Sequence, residues 1–294
     1  VIEAHKRNTT MKNATITVIL GENAQPTDLE TLSQTALERN IHLIVLLLSE
    51  LPPIPVYSMG IGTFSTYSLP ENWQADVDQA NSALEAQRVK ISQYLVDQGA
   101  SAEVRAISGA ALGMQTAVAR AGLTCDIIII SDDLRSDKRL FNDIVHAALF
   151  DSSAAVMLNT VDAAAALNPQ SALVAWKAGI PAARAVRAAL PVLRAAQDVT
   201  VALFDPISTS SQDGENPGSD VATWLNHQGC TVAVQEYPSG GQEIGTGIIK
   251  RARETAADLI VMGAYDHSRL RERVFGGTTR TLIEQRDRPV LLCH

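Results

Sequence analysis

Short, unbroken aliphatic runs alternate with amphipathic stretches along most of the chain. Residues 16–20 (Ile-Thr-Val-Ile-Leu), 43–48, 102–107, 127–130 (four isoleucines) and 155–158 read as strands. Runs of this length with little polar alternation mark strands covered on both faces. Helical spacing between them predicts helices near residues 28–39 and 113–121. The same order then returns. Residues 172–176 match 16–20, 199–204 match 43–48, 232–237 match 102–107, 259–262 match 127–130, and 290–292 match 156–158. Helices near 182–196 and 245–257 fall between the second set, and Pro181 suits a first helical turn. Smaller matches reinforce the repeat: Gln98-Gly99 with Gln228-Gly229, Asp126 with Asp258, and Arg139-Leu140-Phe141 with Arg273-Val274-Phe275.

Each repeat therefore reads as strands alternating with helices, the signature of a parallel sheet with helices on both faces. The fold class is α/β: two doubly wound parallel five-stranded sheets, with domains at 1–162 and 163–294. The linker lies near 159–170, where Ala163 to Ala166 predicts a short helical turn and Pro169 a stop. The first repeat is longer, and its surplus falls at 51–71, a stretch rich in Pro, Gly, Ser and aromatics. A loop of that length is either a lid or a surface flap.

Composition narrows the function classes. Apolar residues make up 46% and aromatics 4%, so the core is aliphatic. The formal net charge of −8 disfavours nucleic acid as a partner. Three cysteines with no C-x-x-C pair argue against a disulfide framework or a cysteine zinc site. No run approaches the length of a membrane-spanning helix, and the polar opening residues do not resemble a signal peptide, so a cytoplasmic protein is expected.

Open parallel sheets take ligands beyond the carboxyl ends of their strands. The most informative loop there follows the fourth strand of the second repeat, Gly263-Ala264-Tyr265-Asp266-His267-Ser268-Arg269, and runs to Gly276-Gly277-Thr278-Thr279 at the start of the last helix. Free N–H groups at such a start hold anions, and glycines let a phosphate approach. Arg269, Arg271, Arg273 and Arg280 add positive charge. The equivalent loop of the first repeat, Ser131 to Lys138, has no glycine, and Asn142-Asp143 aligns with Gly276-Gly277. An acidic residue there would satisfy the helix N-terminus from within the protein. Residues 1–160 hold 11 basic and 18 acidic side chains, and residues 161–294 hold 13 and 14, so a phosphate is expected in the second repeat.

The segment from Val261 to Thr279 resembles the G-x2-G-x9-G-[ST] signature of the universal stress protein family. Gly263 and Gly276 match its first and last glycines; Asp266 stands at the second glycine and Gly277 at the Ser/Thr position. The resemblance implies a Rossmann-like, adenine nucleotide alpha hydrolase-like fold in tandem as a pseudo-dimer, with the last strands pairing across the two domains. It implies a ligand-binding or signalling role in stress response. It also implies adenine nucleotide, ATP with Mg, at Lys177, Gly263, His267, Gly276, Gly277, Thr278 and Thr279. Lys177 replaces the Asp that usually ends the first strand of nucleotide-binding members. The alternatives are a slow Mg-dependent ATPase at the same loop, drawing on Asp266 and Asp205, or an adaptor that binds no nucleotide. A homo-oligomer and a protein partner are expected; a metal site and a catalytic constellation are not. The chain has no P-loop, H-E-x-x-H or G-x-S-x-G. Gly245-Thr246-Gly247 lacks the third glycine of a dinucleotide fingerprint, and Asp205-Pro206 reads as a turn first.

Overall fold

The computed structural model describes residues 11–51, 72–160, 162–209, 213–264 and 275–294. All but Leu51 of the inserted segment 51–71 lies outside them, as does His267. The first repeat contains β1 (Thr15–Gly21), α1 (Glu30–Arg39), β2 (His42–Glu50), α2 (Trp73–Asp97), β3 (Ala102–Gly109), α3 (Ala111–Ala121), β4 (Ile127–Ile130), α4 (Lys138–Phe150) and β5 (Ala155–Leu158). A helical turn, α5 (Ala163–Ala166), leads into the second. There β6 (Ser171–Ala175), α6 (Ile180–Leu193), β7 (Asp198–Phe204), α7 (Ser219–His227), β8 (Val232–Tyr237), α8 (Ile244–Glu254), β9 (Leu259–Gly263), α9 (Gly277–Glu284) and β10 (Val290–Cys293) follow.

The strands form one ten-stranded sheet in the order β3-β2-β1-β4-β5-β10-β9-β6-β7-β8. Pairing is parallel within each repeat. At the centre β5 and β10 run antiparallel, with Leu158 opposite Val290, Met157 opposite Leu291 and Val156 opposite Leu292. The aliphatic content of β1, β2 and β4 follows from position, since helices cover both faces and their residues are almost all buried. The edge strands β3 and β8 are far more exposed. Two apolar layers, one on each face, both run unbroken from the first repeat into the second.

Matched residues do matched work. The Asp126 carboxylate accepts from the Thr15 N–H at 2.8 Å, and Asp258 accepts from Gln170 and Ser171 at 2.8 and 3.2 Å, so each fixes the start of its repeat's first strand. Gly99 and Gly229 have φ of 70° and 91° and follow α2 and α7, where a left-handed residue turns the chain out of the helix. The linker is tied to the first repeat by the Thr31 hydroxyl, which donates to Asp162 at 3.0 Å, while Asp162 caps α5. No helix among the described residues is long and apolar enough to cross a membrane.

Candidate ligand cleft of the second repeat

A cleft of about 850 Å³ opens beyond the carboxyl ends of β6, β7 and β9. The chain leaves β6 toward β7 and β8, then returns to β9 on the other side. The two connections diverge there and leave a crevice. Lys177, Gly263, Gly276, Gly277, Thr278 and Thr279 all line this cleft. His267, with Asp266, Arg269, Arg271 and Arg273, lies outside the described residues. Phe204, Ile244, Ile248 and Met262 form an apolar wall. Sequence reasoning missed that wall, because its residues share no local pattern.

The glycines divide by role. A Cβ on Gly263 would stand 2.4 Å from the Ala182 nitrogen and 2.5 Å from the Pro181 carbonyl carbon. This glycine lets the end of β9 touch the backbone of α6, rather than making room for a ligand. A Cβ on Gly277 would meet nothing within 4 Å. Gly276 is the N-cap of α9 and carries no side-chain cap, so the helix start presents backbone to the cleft.

The threonines are less available than their hydroxyls suggest. Thr279 is buried, and Thr278 hydrogen-bonds the carboxylate of Glu243. Glu243 caps α8, accepting from the N–H groups of Gly245 at 2.9 Å and Thr246 at 2.7 Å. Burial pushes its carboxyl up, but the donors of Gly245, Thr246 and Thr278 outweigh that and hold it below the usual carboxylate range. The local signal was present: an acidic residue just ahead of a helical run is a cap. On the opposite rim Asp205 has a left-handed φ of 47° and accepts from the Ser239 N–H at 2.9 Å; the Ser239 hydroxyl first, and this N–H second, keep its carboxyl low. Asp213 accepts from the Ile207 N–H at 2.8 Å. Asp205 is thus a turn residue at the mouth of the cleft.

In the corresponding region of the first repeat the protein's own carboxylates take backbone N–H groups. Asp133 accepts from the Gly21 N–H at 2.8 Å and sits where β1 ends. The first turn of α4 is capped by Asp137, which accepts from Arg139 and Leu140 at 2.9 and 3.0 Å. Asn142 and Asp143 are not at the helix start, as alignment with Gly276-Gly277 suggested; α4 begins at Lys138, earlier than α9 does, and they lie within it. The buried Ser49 donates to Glu22 at 2.6 Å, and Arg139 pairs with Glu50. Among the described residues no group of three or more His, Cys, Asp or Glu is placed to hold a metal ion.

Residues 169–294 match the model of the universal stress protein family. No curated protein matches the chain. Among solved structures, a universal stress protein from Archaeoglobus fulgidus aligns with a TM-score of 0.63 at 14% identity, covering 95% of this chain and 97% of that one. A putative universal stress protein from Pseudomonas aeruginosa aligns at 0.55 and 16% identity, covering 95% and 92%. At these identities the likeness is one of fold, and it extends over both repeats. The second repeat is thus a universal stress protein domain, and the first repeats its fold.

Proposed function

We propose that the second repeat binds an adenine nucleotide and that the chain acts in stress response as a cytoplasmic ligand-binding or signalling protein. The observation that carries this reading is the start of α9 lining the cleft, where no side chain caps the helix and Gly277 leaves the approach clear. Helix N-termini of this kind take phosphate through backbone N–H groups and the helix dipole. The remaining features fit the same ligand. The cleft's volume, about 850 Å³, lies within the range of small-molecule sites. Its apolar wall of Phe204, Ile248 and Met262 suits an aromatic base, and the Lys177 ammonium suits an anionic or acceptor group. Mg bound with the nucleotide would neutralise phosphate charge beside Asp205 and Asp213. In the first repeat the places of phosphate and ligand are taken by Asp137 and Asp133, so that repeat serves as structural partner.

Native mass spectrometry of the intact chain with ATP and Mg tests the reading. One nucleotide per chain is expected. Gly276→Asp, which copies the Asp137 cap of the first repeat, is expected to abolish the adduct. A folded wild type with no adduct at millimolar ATP would refute it.

A further inference from the structure

The last four carbonyls of a helix have no partner within it and attract positive charge. In α9, the helix whose start faces the cleft, the last turn contains no basic residue of its own. Two of these carbonyls are satisfied from the other repeat. Arg135, in the turn between β4 and α4, donates to the Ile283 carbonyl at 2.9 Å. Asn159, just after β5, donates through Nδ2 to the Leu282 carbonyl at 2.9 Å. Neither group is a casual surface contact. The Arg135 side chain is only 9% exposed and Asn159 only 3%. Arg135 is held by Asp132 at 2.7 Å, by the Asn159 side-chain oxygen, and by the Phe141 ring at 4.2 Å from its centroid. Asn159 sits at a φ of 59°, a left-handed geometry that aims its amide across the seam.

We propose that Arg135 and Asn159 are positioning residues for the second repeat's cleft. By gripping the end of α9 they set where its first turn, Gly277 to Thr279, stands against β6 and β9. The closed repeat thus acts on the open one, and occupancy of the cleft bears reciprocally on the 132–138 turn. This rests on the nucleotide reading above, but the grip itself can be measured without ligand.

The test uses the full chain as wild type, Arg135→Ala, Arg135→Lys and Asn159→Gly, the last removing the amide while allowing the left-handed backbone. Amide hydrogen exchange at residues 280–285 without ligand is read beside MgATP affinity. Arg135→Ala and Asn159→Gly are expected to speed exchange in α9 about tenfold, leave β1 and β2 protected, and weaken MgATP binding about tenfold. Arg135→Lys, which keeps one donor and the charge, is expected to recover part of both. Unchanged exchange in α9 would overturn the proposal. So would faster exchange with unaltered affinity, which would make the contacts merely structural. If the wild type binds no MgATP, the nucleotide reading falls, and exchange in α9 alone decides whether the grip exists. If Arg135→Ala does not fold, Arg135→Lys and Asn159→Gly decide the same question.

Discussion

Gly263 and Gly277 belong to one glycine-containing loop, yet alanine at each should do opposite things. A Cβ at Gly263 would lie 2.4 Å from the Ala182 nitrogen and 2.8 Å from its Cα. Non-bonded heavy atoms settle near 3.5 Å, so β9 and the first turn of α6 would have to part by about 1 Å. Overpacking costs about 1–3 kcal/mol when side chains can yield. Here the obstacle is helix backbone, which cannot rotate away, so the upper end, about 3 kcal/mol, is expected. At roughly 2–4 °C per kcal/mol for a chain of this size, Gly263→Ala should lower Tm by about 6–12 °C. A Cβ at Gly277 meets nothing within 4 Å and the residue has no left-handed φ, so Gly277→Ala should leave Tm unchanged or raise it slightly through the unfolded state. Scanning calorimetry of both variants, with hydrogen exchange read at α6 and β9, makes the comparison. A Gly263→Ala protein as stable as wild type, or a Gly277→Ala protein that loses more, would refute the division of roles.

Asp137→Ala removes the cap of α4 and should cost about 1 kcal/mol, seen in denaturant titration together with faster exchange in that helix's first turn. Leu291→Ala, at a fully buried position opposite Met157, should cost about 2–5 kcal/mol. Because both apolar layers cross the seam, calorimetry of that variant should show both repeats lowered together; loss confined to the second would count against a shared core. Glu243 has a depressed carboxyl pKa in the fold, so its contribution is present above the usual carboxylate range and is lost as pH falls through the folded-state value. Glu243→Gln should therefore flatten part of the acid limb of the stability–pH profile, and superimposable profiles would show that the cap does not titrate as argued.

The sequence by itself determined what depends on neighbours along the chain. Continuous aliphatic runs in β1, β2 and β4 identified buried parallel strands, because only a strand covered on both faces can bury every side chain. Repetition of the whole pattern disclosed two copies of one fold, and small matched elements such as Asp126 with Asp258 and Gly99 with Gly229 proved to be fastenings used twice. The position of the cleft was also legible, since the ends of parallel strands and the glycines before α9 are sequence features. Tertiary structure alone decided what each of those residues does. Whether a glycine clears room for a ligand or for another backbone depends on what lies opposite, and for Gly263 that is α6, far away in sequence. Asp133 reaches Gly21 over 112 residues, and Arg135 reaches Ile283 over 148. Periodicity and capping act within a few residues, whereas the Asp133 contact needs β1 and β4 side by side, and the Arg135 contact exists only once β5 and β10 have brought the two repeats into one sheet.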